Sequence, residues 1–439
     1  MRLEGLFYYN PFNLTNKEML TMKIKKAIIL LFLAVPGSIF AQESETDFIK
    51  ENFEFASKQY KLMMETPSSL KSVMPRTLDK NGNLKKTSIY AWTAGFFPGS
   101  LWYLSDFQKD KSLQDSAIVY TNKMKPVKSF TDNHDIGFMM YCSYGNAERF
   151  NPKPEYKEIL VESARSLCKR FDSKTGVIKS WNGFKSWHGD KVYNFPVIID
   201  NMMNLELLFY ASKVTGDDYF KKIAISHAEK TMKNQVRKDY SCFHIVYYDK
   251  ETGKPIKGET SQGYSDNSAW SRGQAWGIYG FTMCYRETKD PRFLKTAQKM
   301  ADFYMNHPNL PSDKIAWWDL NANQPGYNPG IRSNANNIIN NYRDASAAAC
   351  IASALLELST YSDSELSKKY FNCAKTILHS LGSKNYRAKL GENGTFILMH
   401  STGSIPHNVE IDVPLTYADY YFIEALYRYD KLLNDKPIF

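Results

Sequence analysis

The sequence predicts an all-α fold, an (α/α)6 toroid of six helical hairpins that forms a single domain after a signal peptide. Two observations predict it. Apolar residues recur at helical spacing along nearly the whole chain after residue 42. The resulting helices also alternate in character. One set is amphipathic and charged, and the other has few charges and many small or aromatic residues, as is typical of helices buried on all sides. Six buried helices alternating with six peripheral ones indicate two concentric rings.

The N-terminus has the order of a secretory signal peptide. Met22–Lys26 is basic, Ala27–Val35 is apolar, and small residues up to Ala41 precede Gln42. The apolar run is shorter than the roughly 20 residues that a membrane-spanning helix needs. We therefore expect residues 1–41 to be an extension and signal peptide, and the mature chain to start near Gln42. Export would place the protein in the periplasm or outside the cell, with no membrane insertion after signal removal.

The remaining chain, 42–439, contains twelve predicted helices and no low-complexity linker, so it is expected to be one catalytic domain. The helices are 44–65, 95–107, 110–127, 135–149, 153–170, 199–214, 216–234, 269–287, 289–306, 342–359, 361–381 and 415–432. Strand-like alternation is local, as in Cys242–Tyr248. Segments rich in Gly, Pro and Asn at 183–196, 250–266 and 307–341 are predicted loops.

Composition narrows the possible partners and cofactors. The chain has 56 basic and 46 acidic residues, and residues 1–41 hold five and two of these, so the remainder carries a net charge of +7. An anionic substrate suits this charge, whereas no basic run with interleaved aromatics indicates nucleic acid. The eight His have no HxxxH or HxH spacing, and nucleotide-binding glycine motifs and a GxSxG elbow are absent. We expect no metal and no organic cofactor.

The cysteines are too widely spaced for a metal knuckle or a redox motif. They are Cys142, Cys168, Cys242, Cys284, Cys350 and Cys373. Buried free thiols are the default interpretation, and disulfides stay open for an exported protein.

Unusual polar residues cluster at the starts of the even-numbered helices. Antiparallel hairpins would bring all of these starts to one end of the ring, which predicts an active site at that mouth. The segments are Trp92–Gly95, His134–Asp135, Asp200–Asn201, Ser271–Trp276, Arg343–Asp344 and Asp412–Pro414.

Asp135 and Asp200 are the leading catalytic candidates, because two carboxylates facing a sugar are the usual means of proton transfer in glycoside hydrolysis. The alternative is that each one caps its helix or complements the helix dipole. A helix N-terminus stabilises the carboxylate anion. Burial or like-charge repulsion would therefore have to raise the pKa of a general acid placed there.

Other candidates would bind the substrate. Arg272 could hold a carboxylate or sulfate with two hydrogen bonds, or form a structural pair with Asp344. His244 and Gln262 lie in long loops, and taken alone each is an ordinary loop residue. Tryptophans could cover the apolar faces of sugars, although core packing is the better interpretation for at least two of them. These are Trp92, Trp181, Trp187, Trp270 and Trp276.

Six segments resemble glycoside hydrolase family 88, the unsaturated glucuronyl hydrolases, between Ala91 and Tyr427. They are AWTAGFFPG (91–99), HDIGF (134–138), IIDNMMNLELL (198–208), SQGYSDNSAWSRGQAWGIYGF (261–281), RDASAAA (343–349) and DVPLTYADYYFIEAL (412–426). The unsaturated rhamnogalacturonyl hydrolases of family 105 share the fold and some of these segments. The long block at 261–281 favours family 88.

The resemblance implies hydration of a vinyl ether in the terminal uronate of a lyase product. An acid protonates C4, water adds at C5, and the resulting hemiketal opens and releases the aglycone. By motif, Asp200 would be the general acid and base, with Asp135 as its partner. His244, Gln262, Arg272 and Trp276 would fall on pocket positions. Trp92 and either Trp181 or Trp187 would be stacking aromatics. No cofactor is implied.

Three alternatives stay open. One is a rhamnogalacturonyl hydrolase that acts on pectin fragments. Another is a non-catalytic glycan-binding toroid, and the third is an ordinary inverting glycosidase. The sequence leaves the parent polysaccharide open among chondroitin, heparin, hyaluronan, gellan, xanthan and ulvan, together with the linkage, the sulfation and the oligomeric state.

Overall fold

A computed structural model describes residues 44–69 and 71–439. The predicted signal peptide and the mature start near Gln42 lie outside these residues. Helix α1 covers 44–65. Its first turns belong to an N-terminal unit that ends at Glu51, and the second unit is Asn52–Phe439.

Helices dominate this unit, and all twelve predicted helices are found when α1 is included and α4 and α5 are counted as one. They are α2 (Phe96–Gln108), α3 (Lys111–Lys123), α4 (Ile136–Met140), α5 (Asn146–Phe150), α6 (Pro154–Cys168), α7 (Leu205–Thr215), α8 (Asp218–Asn234), α9 (Ser271–Thr288), α10 (Pro291–Met305), α11 (Ala345–Ser359), α12 (Ser364–Leu381) and α13 (Thr416–Leu433). Two predicted helices are irregular. The helix predicted at 135–149 is α4 and α5 joined by a π-helical turn at Tyr141–Gly145, and the one predicted at 199–214 begins as a 3₁₀ turn at Ile199–Asn204.

The predicted alternation of buried and peripheral helices is confirmed. Every residue of α11 is buried, whereas α10 buries only a stripe with helical spacing that includes Phe293, Ala297 and Met300. Buried helices contact one another in succession: α9 contacts α11, α11 contacts α13, and α13 contacts α2. The succession continues from α2 to α5, from α4 to α7, and from α7 back to α9. Each peripheral helix packs beside a buried one, as α12 does against α11.

Strands are short and lie in the connections between helices. They are β1 (Met74–Leu78), β2 (Leu84–Thr87), β3 (Phe171–Asp172), β4 (Val177–Ile178), β5 (Phe184–Lys185), β6 (Val192–Tyr193), β7 (Pro196–Ile198), β8 (Ile245–Tyr248), β9 (Pro255–Glu259), β10 (Ser401–Ser404) and β11 (Val409–Val413). β7, β8 and β9 form a three-stranded antiparallel sheet. Its register pairs Ile198 with Ile245, which brings residues 200 and 244 together just beyond the strand ends.

Each of the six cysteines is a free thiol, and four are buried. Burial raises the pKa of the Cys242 thiol to about 12, so it stays protonated and unreactive. Among the described residues, no helix combines the length and the apolar character that crossing a membrane requires.

Candidate active site

Neither Asp135 nor Asp200 caps a helix. Asp135 occupies the position before α4 without a side-chain bond to the helix, and Asp200 lies within the 3₁₀ turn that precedes α7. Aspartates before other helices do cap them, accepting hydrogen bonds from backbone N–H groups of the first turn. These are Asp110, Asp217, Asp290, Asp344 and Asp363. The capping alternative therefore does not explain Asp135 and Asp200.

The carboxyl group of Asp135 is adapted to hold a proton. Burial, and secondly the negative charge of Asp200, raise its pKa to about 8, although Arg170 acts in the opposite direction. Both carboxylates still reach solvent, with 13% and 12% of their side-chain surface exposed. The two groups therefore form one accessible electrostatic pair, as the sequence argument requires.

His134 lies beside the carboxyl group of Asp135. Its ring is fully buried, and Nε2 lies 3.3 Å from Oδ1 of Asp135. Nδ1 lies 3.4 Å from the Asn204 side-chain amide, whose oxygen accepts a hydrogen bond from the Phe138 backbone N–H. Burial lowers the pKa of His134 to about 4. A neutral imidazole that accepts the amide proton at Nδ1 presents its own N–H to Asp135.

His244 faces Asp200. Its Nε2 lies 3.5 Å from Oδ2 of Asp200, and its Nδ1 accepts hydrogen bonds of 3.0 Å from the backbone N–H groups of Ser261 and Gln262. Because both bonds need the Nδ1 lone pair, the ring proton is on Nε2, the nitrogen that lies 3.5 Å from the carboxylate. Among the described residues, Oδ2 of Asp200 and Nε2 of His244 have no partner with hydrogen-bond geometry. A buried, unsatisfied pair of this kind marks a place for water or substrate.

Arg272 forms the structural pair that the sequence left open. It is 1% exposed, and its Nη1 donates to Asp344 at 2.9 Å and to the Thr402 carbonyl. Its Nη2 donates to Oε1 of Gln262 at 2.8 Å and to the Gly403 carbonyl. The four N–H donors on Nη1 and Nη2 thus all bind protein acceptors. None is left in this structure to form a bidentate pair with a substrate carboxylate. Arg272 instead fixes the side chain of Gln262.

The four tryptophans that the family resemblance placed in the pocket fall into two groups. Trp92, Trp181 and Trp187 are partly exposed. Trp181 lies edge-on to His244 with ring centroids 6.3 Å apart, and Trp187 donates to the Ser261 carbonyl at 2.9 Å. Trp92 packs 4.8 Å from the Tyr417 ring.

Trp276 is different from the three exposed rings. It has no exposed surface, and it packs between Phe138 and Tyr421. The structure therefore corrects its expected role as a pocket residue: its ring supports the site from the core and offers no face to a sugar.

Two residues close to the site, Asn204 and His407, were not predicted as members of it, and His134 was predicted at the mouth without a role of its own. Asn204 contacts the His134 ring beside Asp135, and His407 lies 4.8 Å from Trp187. Asn204 could have been found from its position one helical turn after Asp200. His407 follows Asp200 by more than 200 residues, and no sequence pattern links them.

One group of possible metal ligands occurs in the described part of the chain: His188, Glu259 and Asp266. Its members are already bonded to the protein. Glu259 accepts from Tyr247 at 2.7 Å and from Ser186 at 3.0 Å and is paired with Lys257, and His188 lies 2.8 Å from Asp266. These contacts explain the cluster without an ion.

The site therefore combines the Asp135 carboxyl group, whose pKa is raised to about 8, with the Asp200 side chain, which faces Nε2 of His244. Partly exposed aromatic rings flank this pair. The arrangement defines an acid–base hydrolase that acts on a carbohydrate.

Comparison with known proteins agrees with this class. Glycosyl Hydrolase Family 88 matches residues 69–431, and the chain belongs to this family of glycosidases. An unsaturated glucuronyl hydrolase of Formosa agariphila is 44% identical over 343 residues, which are 78% of this chain and 80% of the relative.

Solved structures agree as well. An unsaturated glucuronyl hydrolase specific for heparin is 43% identical, with a TM-score of 0.80 over 88% of this chain and 98% of that one. A variant of the Streptococcus agalactiae enzyme, complexed with dGlcA-GalNAc6S, is 29% identical. Its TM-score is 0.69 over 87% of this chain and 91% of that one. The helix-rich unit thus resembles known unsaturated glucuronyl hydrolases.

Proposed function

We propose that this protein releases a 4,5-unsaturated uronic acid from the non-reducing end of lyase-generated oligosaccharides by hydrating the vinyl ether. The observation that carries the proposal is the electrostatic pair of Asp135 and Asp200, placed in a family 88 chain. Two similar enzymes, one specific for heparin and one complexed with dGlcA-GalNAc6S, favour glycosaminoglycan fragments over pectin fragments as substrates.

The reaction needs a proton at C4 of the sugar and a hydroxyl at C5. A carboxyl O–H of the pair protonates C4, and the positive charge that develops is shared between C5 and the ring oxygen. Water adds at C5 and returns a proton to the carboxylate. The hemiketal then opens by breaking the bond between C5 and the ring oxygen, and the hemiacetal left at C1 expels the aglycone. No proton is gained or lost by the protein over the cycle.

Asp200 is proposed as the group that gives and takes the proton, because its unsatisfied Oδ2 lies 3.5 Å from the unsatisfied ring nitrogen Nε2 of His244, where a water can bind. Asp135 stores a proton in the free enzyme, since burial and the Asp200 charge raise its pKa. Arrival of a uronate adds a negative charge and further favours protonation of the pair. Gln262 offers its amide N–H group to the substrate while Arg272 holds its oxygen.

The fold proposed for the second unit is the (α/α)6 toroid. Its support is the closed succession of contacts among the buried helices, from α2 through α4–α5, α7, α9, α11 and α13 back to α2. The starts of these helices carry Asp135, Asp200 and Arg272, so an arrangement of this kind gathers the catalytic groups at one mouth.

Export remains a proposal that rests on the sequence of residues 22–42. A basic start, a short apolar run and small residues before Gln42 support secretion to the periplasm or beyond. A periplasmic location would place the hydrolase where exported lyases release their products. N-terminal sequencing of the protein from a native or heterologous host tests the predicted start.

Loss of alkene ultraviolet absorbance, followed across lyase-generated disaccharides from glycosaminoglycans and pectin, tests the activity. Wild type should consume one or more glycosaminoglycan disaccharides, and Asp200→Asn should lose at least about 100-fold in kcat. Asp363→Asn is the matched control, because it makes the same change at a helix cap where Asn also serves. Consumption of pectin disaccharides alone would establish the rhamnogalacturonyl alternative. Binding without any loss of absorbance would establish the non-catalytic one.

A further inference from the structure

A second concave surface lies beside the candidate active site. It is a groove of about 720 Å³, within the range of pockets that bind small ligands. Its walls come from the end of α6, from the turn that follows β8 and from strand β6. Asp135, Asp200, His244 and Gln262 do not line it. Because β6 ends the hairpin that contains Trp187, the groove and the active site share one structural element.

The groove is strongly basic. Its cations are Lys169, Arg170, Lys179, Lys191 and Lys250. Within the described residues these four lysines make no ion pair. The acid in its wall is Asp172, whose Oδ1 is occupied by the backbone N–H groups of Lys174 and Thr175. Five cations thus line the groove beside one acid, and Asp135 and Asp132 also act on the charge of Arg170, so positive charge is in excess there.

The ammonium group of Lys179 is repelled by two of the other cations. The pKa of Lys179 is lowered by burial and further by the charges of Arg170 and Lys250. The Arg170 side chain is held in place by hydrogen bonds to the carbonyls of Thr131 and Lys179. The Lys179 ammonium, repelled by this fixed guanidinium and by Lys250, lies where an anion would be stabilising.

Three of the four aromatic rings that line the groove are buried, and the fourth, Phe171, is partly exposed. Tyr193 and Phe195 are each 7% exposed. Tyr193 stacks on Tyr247 at 3.9 Å, and the ammonium of Lys191 lies 4.8 Å from its centroid. The Lys179 ammonium lies 5.8 Å from the Phe195 centroid. The ammonium groups, rather than ring stacking, are therefore available for recognition.

We infer that this groove is a second, non-catalytic binding site for a sulfated or carboxylated glycan segment. Concavity and size favour a saccharide over a membrane surface, which contacts protruding basic residues. The buried rings disfavour single-stranded nucleic acid, which stacks its bases on exposed aromatics. Anchoring of a polyanionic glycan beside the active site would raise the local concentration of chain ends. The inference does not depend on the hydrolytic reaction.

Calorimetric titration with a saturated, sulfated glycosaminoglycan hexasaccharide tests the site, because this ligand lacks the double bond and is not consumed. Neutralising two cations in Lys179→Gln/Lys250→Gln should raise Kd about tenfold. Lys295→Gln/Lys299→Gln, on the exposed face of α10, loses the same charge elsewhere and should leave Kd unchanged. Gln262→Ala, in the active site, should also leave it unchanged. Lys169→Gln/Lys191→Gln, at two exposed positions, replaces the first variant if that one fails to fold.

Three results would overturn the inference. Equal weakening in the α10 variant would show diffuse attraction by net charge. Weakening in Gln262→Ala but not in the groove variants would place the hexasaccharide in the active site. Binding of anionic lipid vesicles that is lost in the groove variants, with no hexasaccharide binding, would make the groove a membrane contact.

Discussion

His244 presents its Nε2 to Oδ2 of Asp200 at 3.5 Å, and the backbone of the loop after β9 dictates which nitrogen carries the proton. The pairing of β7 with β8 sets the distance, since residues 200 and 244 follow and precede directly paired strand residues. The imidazole therefore has two separable functions. It holds Ser261 and Gln262 through Nδ1, and it offers a proton to Asp200 through Nε2.

Two amide replacements separate these functions. Asn places its oxygen near the position of Nδ1, whereas Gln places its amide near Nε2. If contact with Asp200 is what catalysis needs, His244→Gln should retain more activity than His244→Asn. We expect His244→Asn to reduce kcat about 10- to 100-fold, because a positioned polar group is lost. Initial rates of alkene loss measure the effect, and equal losses in both variants would contradict the assignment.

A second prediction concerns the pH dependence of stability. The pKa of Asp135 is raised from an ordinary 3.8 to about 8, so the folded state binds this proton more tightly than the unfolded state. Below about pH 4 the group is protonated in both states, so it causes no change in the free energy of unfolding with pH. Between about pH 4 and 8 the unfolded chain releases the proton and the folded chain keeps it, so the wild type loses stability as the pH rises.

Asp135→Asn removes this titration. The variant should gain at least about 1 kcal/mol over wild type at pH 8, since each pKa unit corresponds to about 1.4 kcal/mol. At pH 4 the two proteins should differ little. Urea unfolding at both pH values measures the difference, with Asp363→Asn as control. A gain of the same size at pH 4 would show that the raised pKa is not its cause.

Helix placement was predictable from the sequence because periodic burial determines it. The fully buried α11 and the striped α10 each have a distinct apolar pattern, and the helix positions followed. The strands of the connections were mostly missed, since segments of two to five residues, such as β5 and β10, carry too little periodicity to be recognised. The interruption at Tyr141–Gly145 left no signal either, because a π-helical turn uses the same residue types as an α-helix.

Asp135 and Asp200 could be found from the sequence because an acid at the start of a nearly uncharged helix is conspicuous. Partnerships across the fold could not be found in the same way. The hydrogen bond between Arg272 and Gln262 joins residues only ten positions apart. Arg272 also donates to the carbonyls of Thr402 and Gly403, which are 130 and 131 positions further along the chain. Burial of Trp276 similarly depends on Phe138 and Tyr421.

A third prediction follows from the role of Arg272 as a holder of Gln262. Gln262→Ala should raise KM with little change in stability, because its amide N–H faces the substrate. Arg272→Lys should raise KM as well and also destabilise the fold by about 3–5 kcal/mol, since it leaves Asp344 buried with an incomplete partner. Thermal unfolding and steady-state kinetics measured together separate the two variants. Full stability in Arg272→Lys would contradict the structural pairing.

The last prediction contrasts two tryptophans that the sequence treats alike. Trp276 is fully enclosed, so Trp276→Ala should cost about 3–5 kcal/mol of unfolding free energy by opening a cavity. Trp187 is partly exposed and bonded to the Ser261 carbonyl, so Trp187→Ala should cost less and should instead raise KM roughly 3- to 10-fold through lost stacking. Urea unfolding and KM for an unsaturated disaccharide provide the two measurements.

Trp187→Phe keeps a ring and should recover part of the affinity, which distinguishes stacking from the loss of the Ser261 bond. If Trp276→Ala instead raised KM without loss of stability, the Trp276 ring would contact the sugar in the bound enzyme, and its assignment as a core residue would be wrong.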